Sequence, residues 1–181
     1  MGVQDVNWKI TLEGSIEGYH IRATHPETFL PYGFDNLNLV ETFGPHSRVT
    51  YPFKRINKLR EVAPQQRDVM GLVTFVYHIF PNALLTVLSS HTNLVVLDPV
   101  APDRTRTFSY RMTNACGEEA LAKARRDAEF VGNTGGAEDR AVIQAIQRGL
   151  ASGANDAFTF GHFEKAIVHL HQTLTAALAA Q

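Results

Sequence analysis

The sequence predicts an α+β fold in which a curved antiparallel sheet grips a long C-terminal helix. Three observations predict it. Four or five strand-like runs crowd the middle of the chain, helix-like segments lie towards its two ends, and the strands are separated by turn residues that suit an antiparallel meander.

Residues 7–19, NWKITLEGSIEGY, place Trp8, Leu12 and Ile16 four apart, the spacing of one helix face, although Gly14 and Gly18 weaken it. From Pro26 to Asn38 the chain is rich in Pro, Gly, Asn and aromatic residues, which predicts an irregular loop. The runs SRVTYPF, GLVTFVYHIF, ALLTVLSS, NLVVLDPV and RTRTFSYRMT follow, with turn residues such as Pro81-Asn82 and His91-Thr92 between them. The later helix-like segments are GEEALAKARRDAEFV, EDRAVIQAIQRGLAS and HFEKAIVHLHQTLTAALAA. The last carries Phe163, Ile167, Leu170, Leu174 and Leu178 at three- and four-residue steps, an apolar stripe that needs a partner surface. A cavity between sheet and helix is expected, lined by the loop from Phe29 to Leu39 and the strand from Val73 to His78.

The 181 residues fit one domain spanning 1–181, with no repeat and no linker-like stretch longer than the run Gly132 to Gly136. With 44% hydrophobic and 19% charged residues the composition is that of a soluble globular protein, and a formal charge of −1 gives no footprint for nucleic acid. No run reaches the roughly 18 apolar residues of a membrane span, and the start MGVQDVNWK lacks a secretory h-region, so a cytoplasmic protein is expected. The single cysteine, Cys116, excludes an internal disulfide and any cysteine cluster able to hold iron-sulfur or structural zinc. A metal here has to be held by His, Asp or Glu.

The densest chemistry lies in EGYHIRATHP, where Glu17, Tyr19, His20 and His25 crowd just before Pro26. His20 and His25 stand about 140° apart on an ideal helix, so they converge only where the helix breaks between them. Pro26 favours such a break, because it disfavours helical geometry at the preceding residue. Two neutral imidazoles beside a cavity suit iron, zinc, copper or nickel. The plainer reading is a helix-end cation and a surface ring.

Asp139 is the candidate third ligand. On a helix it shares a stripe with Val142, Ile143, Ile146 and Leu150, so its carboxylate is expected to face inward, where it needs a pair or a metal. Alternatively, Glu138 and Asp139 are first-turn acids that complement the helix dipole. Two histidines and one carboxylate with open positions make the facial triad of non-heme Fe(II) oxygenases.

These residues carry a family resemblance. Asn7-Trp8-Lys9, then Glu17, Tyr19, His20 and His25, resemble the segment of Rieske-type aromatic-ring-hydroxylating oxygenase α subunits that reads N-W-K, E-N, an acid two residues before Y-H, and a further H. Glu138, Asp139, Val142 or Ile143, Gln147, Arg148, Gly149 and Leu150 resemble the family's late E-D helix ending in Q-R-G-L. The likeness covers nearly the whole chain. It implies a helix-grip, lipid-transfer-like catalytic domain with mononuclear Fe(II) on His20, His25 and Asp139. Glu17 would be the electron-transfer bridge to a histidine of a neighbouring Rieske cluster. The implied activity is O2-dependent hydroxylation or dealkylation of a small apolar or aromatic substrate. Electrons would come from a Rieske [2Fe-2S] centre fed by an upstream reductase, in a ring-like oligomer such as a homotrimer.

Two departures matter. Gly14 and Ser15 stand where the family has Asn and commonly an aromatic, which bears on substrate class rather than on the ligands. No C-x-H or C-x-x-H motif exists, so the N-terminal Rieske domain is expected to be absent. The chain would be cut from a longer subunit, a partner of a separately encoded Rieske protein, or a relic that only binds ligand. The rival readings are a helix-grip module for a hydrophobic ligand without catalytic metal, and a zinc hydrolase, although the usual H-E-x-x-H is absent. Of the other histidines, His78 is expected in the core, His46 and His91 at exposed turns, and His162, His169 and His171 at the surface or an interface.

Overall fold

The computed structural model describes residues 1–180. Strand β1 (Gly2–Gln4) is followed by helices α1 (Trp8–Ser15) and α2 (His20–Thr24). Strands β2 (Leu39–Phe43), β3 (His46–Pro52), β4 (Val73–Ile79), β5 (Ala83–Val87), β6 (Thr92–Ala101) and β7 (Arg104–Met112) build the sheet. Two short 3-10 helices, Lys54–Glu61 and Pro64–Gln66, fill the β3–β4 crossover. Helix α3 (Glu118–Phe130) runs through a π-helical turn (Val131–Gly135) into α4 (Gly136–Ala151), and α5 (Lys165–Ala179) follows.

All seven strands pair antiparallel in the order β1-β7-β6-β5-β4-β3-β2, so β1 closes the far edge against β7. The meander of β3 to β7 lies where alternation and turn residues predict it. Two edge strands were not assigned from sequence. β1 is three residues long, and β2 continues directly out of the irregular loop; it is joined to β3 by Gly44-Pro45, with Gly44 at φ +58°.

One face of the sheet carries the core. Val49, Val76, Leu84 and Leu97 meet Leu12 and Ile16 beyond the sheet, together with Ala166, Ile167 and Leu170 of α5, and Trp8, Tyr51 and Leu174 pack at the margin. The expected cavity between sheet and α5 is thus filled by side chains. Leu178, placed on the apolar stripe by spacing, is exposed because α5 runs past the sheet. On the opposite face Arg48 lies over the rings of Phe43, Phe75 and Tyr77 and pairs with Glu41. Among the described residues no helix is long and apolar enough to cross a membrane.

Asn7 joins distant elements. Its side-chain oxygen caps α1 by accepting from the Lys9 N–H at 2.9 Å, its own N–H donates to Gln147 Oε1 of α4 at 2.8 Å, and its amide donates to the Pro102 carbonyl. The cap therefore sets α1 against α4 and against the β6–β7 turn.

His78 is fully buried, as expected, and donates from Nε2 to the Pro81 carbonyl at 3.1 Å. His91, expected at an exposed turn, is also buried. Burial holds both imidazoles below their ordinary value, reinforced at His78 by His46 and His169. The folded ring stays neutral while the unfolded one takes up a proton near its ordinary value of 6.5. Stability from this group is therefore present above that pH and falls as the solution is acidified through it. Between about pH 7.5 and about pH 5.5 the urea midpoint of His78→Gln should fall less, or rise more, than that of wild type.

Candidate metal centre

The centre grows from the junction of α1 and α2. Helix α1 ends at Ser15, and the chain crosses to α2 beneath Tyr51, whose hydroxyl donates to the carbonyls of Glu17 (3.0 Å) and Ser15 (3.3 Å). Burial, with the Glu17 charge adding, pushes the Tyr51 phenol well above its ordinary value, which keeps the donor protonated.

Helix α2 is a single turn. Its N-terminal residue is His20, and His25 leaves it at φ −120°, ψ 44°, immediately before Pro26. The helix breaks where Pro26 predicts, and the two imidazoles meet edge to face with ring centroids 5.2 Å apart. His25 is 1% exposed.

Asp139 enters from the first turn of α4. Its Oδ1 lies 2.8 Å from His25 Nε2 and 3.7 Å from His20 Nε2, and one donor atom from each of the three residues falls within 4.8 Å of the others. The structure brings Asp139 to the two histidines, but not by the burial that its helical stripe predicts. Helix α4 has no buried residue, its apolar stripe of Val142, Ile146 and Leu150 is exposed, and the Asp139 side chain is 38% exposed. It is aimed at the histidines rather than into an apolar core.

Each histidine has a second carboxylate on its other nitrogen. Glu17, nearly buried, takes His20 Nδ1 on one oxygen and the backbone N–H groups of Tyr19 and His20 on the other. Glu138 Oε2 accepts from His25 Nδ1 and from the Thr28 hydroxyl, each at 2.7 Å. Burial pulls the His25 pKa down, but Asp139 and Glu138 outweigh it and hold it above the ordinary imidazole value. Glu138 is in turn held below the usual carboxylate range by His25 and Thr28.

With both Nδ1 atoms donating outward, both Nε2 lone pairs face Asp139. His25 Nε2 is buried and makes no hydrogen bond, despite its closeness to the Asp139 oxygen. Two imidazole nitrogens and a carboxylate oxygen, one nitrogen orphaned in the interior, fit a divalent first-row metal. Sequence reasoning missed the part played by Glu138, since a first-turn acid needs no distant partner and nothing local marks Thr28 or His25 as one.

The run Gly132 to Gly136, read from sequence as linker-like, is helical: it makes the π-helical turn and the first residue of α4. A Cβ at Gly135 would overlap the Phe29 ring, which packs 4.6 Å from His25 and 6.3 Å from Phe130. Gly135→Ala should therefore push Phe29 against the His25 ring, costing about 1–3 kcal/mol of stability and weakening any metal binding there, read by thermal melting and metal titration of the same sample. Hollows of ≈ 290 Å³ beside His162, His169 and Gln172 and of ≈ 520 Å³ beside Cys116 and Lys123 lie apart from the triad.

Comparison with known proteins adds the family. A comparison with curated protein sequences finds no match. Among solved structures, the quaternary ammonium Rieske monooxygenase CntA in complex with L-carnitine superposes with a TM-score of 0.67 at 19% identity, over 97% of this chain and 47% of that one. Dicamba monooxygenase matches with a TM-score of 0.61 at 12% identity, over 99% of this chain and 58% of its own. Naphthalene 1,2-dioxygenase from Rhodococcus sp. gives 0.58 at 16% identity, over 81% and 42%. The chain thus spans about half the length of the structures it resembles. The family described as the ring hydroxylating alpha subunit (catalytic domain) matches residues 3–180. With the antiparallel sheet, the long C-terminal helix and this match over nearly its whole length, the chain belongs to the catalytic-domain family of ring-hydroxylating oxygenase α subunits.

Proposed function

We propose that the chain is the iron-bearing catalytic domain of a Rieske-type oxygenase, with Fe(II) held by His20 Nε2, His25 Nε2 and the Asp139 carboxylate. The observation that carries this is the convergence of those donors with both Nδ1 atoms occupied by Glu17 and Glu138. When bound, the iron supplies open coordination sites for the reductive activation of O2.

The protein's own residues do the rest. Glu17 and Glu138 fix the two rings in the tautomer that presents Nε2, and Phe29 packs against the His25 ring. The net reaction is insertion of oxygen from O2 into an apolar, aromatic or alkylammonium substrate, as hydroxylation or dealkylation, with two electrons from outside. A Rieske [2Fe-2S] centre needs paired cysteine and histidine ligands, and this chain has one cysteine, exposed Cys116. The electrons therefore come from a Rieske domain or protein beyond these residues, fed by a reductase. Glu17, against the His20 ring, is the bridge between that centre and the iron in a ring-like assembly such as a homotrimer.

A metal-free binding module is disfavoured by the packed core. An apolar ligand gripped between sheet and α5 would need the space that Leu12, Ile16, Leu97 and Leu170 occupy. The test is anaerobic loading with Fe(II), gel filtration and iron quantification. One iron per chain is expected, and a chain that emerges without iron overturns the proposal.

A further inference from the structure

We infer that Glu138 is a positioning residue for the metal centre, fixing the His25 ring so that its Nε2 faces the ligand position; this rests on the triad reading above. Glu138 is the third residue of α4, where an acid is ordinarily read as serving the helix dipole. Here the helix continues without a break from the π-helical turn, so this end exposes no terminal N–H groups to be capped. The carboxylate is spent on residues far upstream in the chain, with Oε2 accepting from His25 Nδ1 and from Thr28 Oγ1 at 2.7 Å each.

The arrangement has physical consequences. A carboxylate on Nδ1 permits one tautomer, with Nδ1 protonated and the Nε2 lone pair directed at Asp139, and it raises the basicity of the nitrogen that binds metal. Thr28 holds the acceptor oxygen in place, so the ring is positioned by a chain of two hydrogen bonds running Thr28 to Glu138 and His25 to Glu138. His20 has a counterpart in Glu17, carried three residues earlier on the connection between α1 and α2. Glu138 differs in that it reaches across from α4, so the residue adjacent to the ligand Asp139 controls a second ligand on α2. Helix α4 thereby acts on the centre twice.

The experiment is titration of the intact chain with Co(II) by visible absorption and by competition with a chelator, for wild type, Glu138→Ala, Glu138→Gln and Thr28→Val. Removing an outer carboxylate typically weakens metal affinity about 10- to 100-fold, and that loss is expected for Glu138→Ala. Glu138→Gln keeps a neutral acceptor and should recover most of it, and Thr28→Val should fall between. The Glu138 side chain is about one-third exposed, so these variants should fold, and melting temperatures check it. If Glu138 served only the helix dipole, Gln and Ala would lower the melting temperature alike and leave affinity unchanged. A Glu138→Ala affinity within about twofold of wild type therefore overturns the positioning role while leaving the triad standing. No Co(II) binding by wild type would instead overturn the triad reading itself.

Discussion

Replacing Asp139 or His25 with alanine is expected to leave the chain without iron. The centre offers three protein donors, and each variant removes one that has no substitute within the group. Losing an outer partner already weakens a metal site about 10- to 100-fold, so losing a ligand should exceed that and bring the iron recovered after gel filtration close to zero. The pair is chosen for contrasting burial. His25 is enclosed beside Phe29, and His25→Ala would leave Glu138 and Thr28 facing a void, so its lost iron could reflect a damaged fold. Asp139 is partly exposed on a helix with no buried residue, and Asp139→Ala should melt within a few degrees of wild type. Full iron retention by Asp139→Ala would remove the carboxylate from the ligand set.

Leu170→Ala should produce the opposite pattern. Leu170 is fully buried in the cluster formed with Leu12, Ile16, Val49 and Leu97. Truncating such a leucine costs about 2–5 kcal/mol, because the lost transfer energy is joined by an unfilled cavity. For a chain of this size each kcal/mol shifts the melting temperature by about 2–4 °C, so a fall of roughly 4–20 °C is expected. The proposed ligands stand on α2, just after it and on α4, not on α5, and iron stoichiometry measured below the transition should be unchanged. Urea denaturation and iron quantification on one preparation check both halves, and a loss below about 1 kcal/mol would show that α5 does not seal the core.

Local signals made much of this fold legible. The four-residue spacing of Trp8, Leu12 and Ile16 marks α1, and the β-branched and aromatic runs mark β3 to β7, since these elements bury one face and their composition records it. Edge strands β1 and β2 were not readable because pairing with a neighbour, rather than their own composition, makes them strands. The run Gly132 to Gly136 misleads for a similar reason. Its glycines read as a break, yet Gly135 is helical and lacks a side chain because Phe29 fills that place.

At the centre, Pro26 after His25 and the family resemblance bring His20, His25 and Asp139 forward from the sequence, and the structure places the three side chains together. The burial argued for Asp139 was mistaken, since an apolar stripe at helical spacing does not reveal whether anything covers it. The Glu138–His25 bond spans 113 residues, and no pattern within either segment announces it.

The two acids that open α4 hold opposite edges of one imidazole, 2.7 Å from Nδ1 and 2.8 Å from Nε2. The ring is thus pinched between consecutive residues of a helix whose placement Asn7 secures through Gln147. Protein contacts alone hold this ring, so the cost of ordering it falls on the fold rather than on an arriving ion. A loaded chain stripped of its metal is therefore expected to keep its melting temperature within a few degrees and to take the metal up again.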